Sequence, residues 1–150
     1  MAAAARAPRA DRRHHARESA LQMLYQWEVG GQPLEEVFES YRAVRPRLLD
    51  ETGEAMAVAL VRGTAAHLDR IDPLIEERAE HWRIERMPVV DRLILRLAVY
   101  EFLETPATPR SVVINEAIEL ARTFSTDAAV KFINGVLDGI GRALDAPTPR

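Results

Sequence analysis

A chain of 150 residues can form one domain that buries about two-thirds of the surface its unfolded form exposes, so no disulfide or metal is needed to hold it. It has no Cys, which excludes disulfides, thiolate zinc sites, iron–sulfur clusters and a cysteine nucleophile, and fits a reducing cytoplasm. The net charge of −3 hides an asymmetry: residues 1–17 carry five Arg against Asp11, a charge of +4, which leaves −7 for residues 18–150. A basic arm on an acidic body suggests a polyanion for the arm and a basic partner for the body.

Residues 1–10, rich in Ala, Arg and Pro, have little to bury and are expected to form a mobile basic arm. Their Arg residues leave no apolar stretch of the kind a secretory signal needs. A first helix is expected from near Asp11 to the stop signal Gly30-Gly31. At 100° per residue Arg13, Arg17, Ala20, Leu24 and Trp27 share one face, apolar in its second half and basic in its first. Two readings of that front are open. It projects past the core and presents Arg13 and Arg17 to an anion, or the Arg stems lie along the bundle with their heads in water. A second helix, roughly Leu34 to Val44, turns Leu34, Val37, Phe38 and Tyr41 inward, and Pro46 lies just beyond it. A third starts near Asp50 and carries Met56, Leu60, Gly63 and His67 toward the core, with Gly63 admitting close approach of a neighbour. Asp72-Pro73 then reads as an N-cap followed by a Pro at the first helical position, opening a short fourth helix to about Trp82. Arg83 to Met87 links it to the next.

Pro88 to Leu103 is the stretch around which the rest is expected to pack. Eleven of its sixteen residues are apolar and cover most of the helical circumference, which marks a helix buried on several sides. Asp91, Arg92, Arg96 and Glu101 rule out a membrane span. Arg92 and Arg96 are like charges one turn apart and need acids nearby, for which Glu85, Asp91 and other acids are candidates. A turn with Pro106 and Pro109 follows. Ser111 is expected to cap a helix from Val112 to Phe124 with Val113, Ala117, Leu120, Ala121 and Phe124 inward. Ser125-Thr126-Asp127 opens a last helix to about Leu144, with Ile133, Val136, Leu137, Ile140 and Leu144 inward, and residues 146–150 form a frayed tail. The pattern is all-α, with about seven helices, no strand and one domain over residues 11–145.

Nothing in this pattern argues for catalysis or for a cofactor. There is no Gly-rich phosphate loop, no dinucleotide fingerprint, no paired-His zinc helix and no nucleophile elbow. His14 and His15 point about 100° apart on a helix and make a poor metal pair. His67 and His81 read as fillers, and Glu116 and Glu119 as an ordinary solvated face. In Lys131-Phe132-Ile133-Asn134-Gly135, Phe132 lies about 90° from the centre of the inward stripe, beside the chain's only Lys. It is either a base-stacking platform or a Phe folded over the edge of the core.

Four blocks carry a family resemblance: Arg12-Arg13 with Ala16-Arg17-Glu18 leading into Ala20-Leu21-Gln22-Met23-Leu24-Tyr25; Asp91 to Glu101; Ile114-Asn115-Glu116-Ala117-Ile118-Glu119-Leu120-Ala121; and Lys131 to Asp138. In this order they resemble the NusB family of bacterial transcription antitermination proteins. The resemblance implies a fold of two packed three-helix subdomains. It also implies a non-catalytic protein that binds the boxA element of nascent ribosomal RNA together with NusE, a small-subunit ribosomal protein, within an RNA polymerase antitermination complex. The family's arginine-rich N-terminus contacts RNA, which falls here on Arg12, Arg13 and Arg17, and the last-helix motif adds Lys131 and Phe132. The NusE face maps onto Tyr25, Glu85 and Asp91. A homodimer is compatible with the family. Arg6 and Arg9 lie in an arm longer and richer in Ala and Pro than the motif requires. The same domain also precedes a ribosomal RNA cytosine methyltransferase, whose Cys nucleophile and Gly-rich loop have no counterpart here. The alternative function is a helical protein-interaction module whose basic arm does not read RNA; a helical DNA binder is a third.

Overall fold

The central apolar stretch becomes α5 (Val89–Glu104), and every other long element packs on it or on its neighbours. The computed structural model describes residues 9–44, 49–80 and 82–145, with side chains from residue 12 onward. Around α5 stand α1 (Arg9–Gly30), α2 (Leu34–Val44), α3 (Glu51–Ala66), α4 (Leu68–Arg78), α6 (Arg110–Phe124) and α7 (Asp127–Asp145), with a 3₁₀ turn at Ile84–Arg86. Arg6 and the rest of the expected arm before Arg9, together with Pro46, His81 and the tail at residues 146–150, lie outside the described residues, as does the side chain of Arg9.

Local chemistry sets most of the helix ends. Gly31 stops α1 by taking a left-handed φ of 69°, which lets its N–H donate to the Trp27 carbonyl at 3.2 Å. Asp50 caps α3 by accepting the Gly53 N–H at 2.7 Å, and Thr126 caps α7 by accepting the Ala129 N–H at 3.1 Å. Two ends depart from expectation. Helix α4 begins at Leu68, so Pro73 lies inside it and Asp72 does not cap. Burial of Ile71 and Ile75 on either side offsets the lost backbone bond, and the Asp72 carboxylate instead receives Nε and Nη2 of Arg96, both at 2.9 Å. Helix α4 also ends at Arg78, which leaves Trp82 in the connector. Helix α6 begins at Arg110, because Pro109 with φ −57° already sets the helical direction; Ser111 sits inside the first turn and caps nothing.

Helices α1, α2 and α3 pack on one another, and α4, α6 and α7 surround α5, which also touches α1 and α3 and so joins the two groups. Leu93, Leu95 and Val99 point in different directions from α5, and all are fully buried. The inner face of α3 is Ala57, Leu60, Val61 and Thr64, with Met56 and His67 only half-buried. Gly63 does admit a close neighbour: a Cβ there would lie 2.0 Å from Cζ of Tyr100. Phe124, expected inward, is exposed. Arg92 and Arg96 are neutralised from other helices rather than by Glu85 or Asp91. Glu28 of α1 sits 2.9 Å from Arg92 and 2.7 Å from Arg96, and Arg92 donates to the carbonyl of Ile84 at 3.2 Å. Among the described residues no helix is long and apolar enough to cross a membrane.

Candidate nucleic-acid interface

Helix α1 carries its Arg residues into two different environments. Arg12 and Arg13, near its start, line a hollow of about 270 Å³ against Thr52, Gly53 and Met56 of α3. Arg12 Nη1 donates to Asp50 at 3.2 Å, while half-exposed Arg13 makes no ion pair among the described residues. One turn further in, Arg17 does not face outward. It is 2% exposed and donates from Nε and Nη2 to the two carboxylate oxygens of Glu101 on α5, at 2.9 and 2.8 Å, with Nη1 3.8 Å from Glu116 of α6. The expectation that Arg17 is presented to an anion is therefore corrected. Its face is the one that buries Ala20 and Leu24, and at its depth that face meets two acids of α5 and α6, whereas Arg13 lies at the rim.

The same cluster involves His14, 2.8 Å from Glu116 and 2.6 Å from Glu18. Burial pulls its proton affinity down, but the hydrogen bond and charge of Glu116, and then Glu18, outweigh this and raise its pKa above the ordinary histidine value. Arg17, desolvated yet held by Glu101 and Glu116, is likewise raised. Among the described residues no group of three or more His, Cys, Asp and Glu side chains is placed to hold a metal ion.

The motif of α7 lies elsewhere. Lys131 is exposed and Phe132 half-buried, and both line a hollow of about 320 Å³ between α4 and α7 that also includes Arg78, Glu80, Trp82 and Gly135. The Trp82 and Phe132 rings stand 6.5 Å apart at 60°. This hollow and the one at Arg12 and Arg13 share no lining residue. Trp82 and Arg78 did not stand out in the sequence; a large aromatic just past the end of a short amphipathic helix was the available signal.

Tyr25 is 45% exposed on α1, and Glu85 is exposed on the 3₁₀ turn. They are linked through Glu28, one turn beyond Tyr25, whose partner Arg92 reaches the backbone carbonyls of Ile84 and Glu85 at 3.2 and 3.5 Å. Asp91 is not on that surface. It is 6% exposed and accepts a hydrogen bond from Ser125 Oγ at 2.5 Å, which ties the first turn of α5 to the α6–α7 junction. The expectation that it faces a partner is corrected: about 100° of helical rotation separates it from neighbouring Arg92, which turns instead toward Glu28 and the Ile84 carbonyl.

Comparison with known proteins gives a consistent set of relatives. The sequence profile of the NusB family matches residues 14–142. The chain is 48% identical over 134 residues to the transcription antitermination protein NusB of Koribacter versatilis, covering 89% of this chain and 91% of that one. It is 46% identical over 135 residues to the NusB of Solibacter usitatus, covering 90% and 92%. Among solved structures, T. maritima NusB superposes with a TM-score of 0.80 at 34% identity, over 92% of this chain and 93% of that one. A complex of the antitermination factors NusB and NusE with double-stranded RNA superposes with a TM-score of 0.80 at 29% identity, over 89% and 98%.

Proposed function

The chain belongs to the NusB family of transcription antitermination proteins, and we propose that it binds the boxA element of nascent ribosomal RNA together with NusE, a small-subunit ribosomal protein. It does so as a non-catalytic adaptor within the antitermination complex of RNA polymerase, in the cytoplasm where that RNA is made. The observation that carries this reading is the likeness, over nearly the whole chain, to a NusB seen with NusE and RNA.

The charge distribution supports a division of labour. Arg12 and Arg13 lie at the basic end of α1, half-exposed, and reach phosphates, whose contacts supply affinity without sequence information. Lys131 and Phe132 place a cation and an aromatic on the margin of α7, in a hollow shared with Trp82 that suits an unstacked single-stranded base. Tyr25 and Glu85 present an exposed aromatic and an exposed acid, suited to a basic ribosomal protein.

The test is binding to single-stranded boxA-like RNA, to the same bases scrambled and to duplex DNA at matched salt, with and without NusE. A preference for the boxA-like strand is the expected outcome. Equal binding to all three overturns the RNA-adaptor reading, and binding to none overturns it in favour of a protein-interaction module.

A further inference from the structure

We infer that Trp82, rather than Phe132, offers the base-stacking face of the α4–α7 hollow, with Phe132 holding its ring and Arg78 and Lys131 placed for the flanking phosphates. The inference rests on the RNA-binding reading above and assigns residues within it.

Trp82 is 49% exposed, one of the largest apolar surfaces left in contact with water, whereas Phe132 is half-buried and packs against the core. A centroid separation of 6.5 Å with planes at 60° is a tilted, near edge-to-face aromatic contact, a stable arrangement that orients one ring by the other. Rings inclined in this way leave no parallel slot for a base between them. A base can stack only on a free face, and the exposed ring is that of Trp82. Its backbone is fixed as well, since the Trp82 N–H donates to the Ala79 carbonyl at 2.8 Å at the end of α4. A positioned ring loses little freedom when a base lands on it.

The charges around the ring fit a nucleic-acid strand better than an apolar segment of a protein. Among the described residues Arg78 and Lys131, both exposed, form no ion pair, and Glu80 is the only acid that lines the hollow. The stem of Arg78 runs across α7 at Gly139, where a Cβ would lie 3.4 Å from Arg78 Cδ, and Arg78 and Lys131 both line the hollow. Two exposed cations beside one exposed aromatic face match the backbone-plus-stacking pattern of single-strand binding.

The test measures the affinity of the full chain for boxA-like RNA in the presence of NusE. Trp82→Ala should weaken binding about 5- to 100-fold without changing its salt slope, and Trp82→Phe should keep most of the affinity. Phe132→Leu should cost less than Trp82→Ala. Unchanged RNA affinity in Trp82→Ala, with Arg13→Ala still weakened, overturns this assignment and leaves the RNA-binding reading standing. A loss of NusE affinity with RNA affinity intact makes Trp82 a protein contact and also overturns it. If the unsubstituted protein binds no RNA, both readings fail together. Should Trp82→Ala not fold, photo-crosslinking of the unsubstituted protein to 5-bromouridine RNA decides: an adduct on Trp82 supports the assignment, and adducts only elsewhere overturn it.

Discussion

Replacing Arg17 with Met should be a stability defect and not an RNA-binding defect. The substitution keeps an unbranched stem of similar bulk but leaves the Glu101 carboxylate, 4% exposed, without its bidentate partner. The surrounding wall of Ile94, Leu97, Val113, Ala117 and Leu120 offers that charge nothing in return. Removing one member of a buried pair costs about 3 to 5 kcal/mol. At roughly 2 to 4 °C per kcal/mol for a chain of this size, the melting temperature should fall by roughly 6 to 20 °C. Urea unfolding followed by circular dichroism measures the loss. The double variant Arg17→Met with Glu101→Leu should recover most of it, since an apolar replacement of a whole buried pair is often neutral or better, and Glu116 keeps His14 as a partner. At a temperature where the single variant is folded, its RNA affinity and salt slope should equal those of the native protein. An unchanged melting temperature combined with a salt slope lowered by about 0.7, the value of one single-strand phosphate contact, would refute the buried-pair account.

Three further outcomes follow from the same geometry. Because the folded pKa of His14 is raised above its unfolded value near 6.5, its stabilising contribution is complete below that value and is lost as pH rises through the folded pKa. The urea midpoint should therefore be higher at about pH 6 than at about pH 8.5, and His14→Gln should flatten the difference. Asp91→Asn should keep the Ser125 bond and native affinity for NusE by calorimetry, whereas Asp91→Lys should lower the melting temperature sharply by burying an unpaired cation; a selective loss of NusE affinity in Asp91→Asn would return Asp91 to the interface. Glu85→Lys should leave the melting temperature unchanged and weaken NusE binding by about 0.2 to 1 kcal/mol, the usual worth of an exposed charge pair, and unchanged affinity would remove Glu85 from that face.

The helices were legible because apolar period, Gly and Pro act locally: the bounds of α2 and the burial of α5 on several sides follow from pattern alone. What periodicity cannot supply is the element that a face meets. Arg17 could be placed on the side of Ala20 and Leu24, but its acid Glu101 lies 84 residues away, and only the packing of α1 on α5 brings the two together. The same limit explains Arg92 and Arg96, whose acids come from α1 and α4 rather than from their own neighbourhood. Pro73 misled because a Pro at the first helical position is a strong local signal, and the burial of Ile71 and Ile75 overrode it. At the candidate site the margin position of Phe132 was readable, whereas the partner ring comes from Trp82, outside any periodic segment.

The most direct test of the RNA-adaptor account is sedimentation velocity with fluorescently labelled boxA-like RNA, this protein and NusE mixed at concentrations near the binding constants. The account predicts one faster boundary that carries the label only when both proteins are present or bound in sequence. A label that stays at the rate of free RNA, or that NusE drives off this protein, would contradict it.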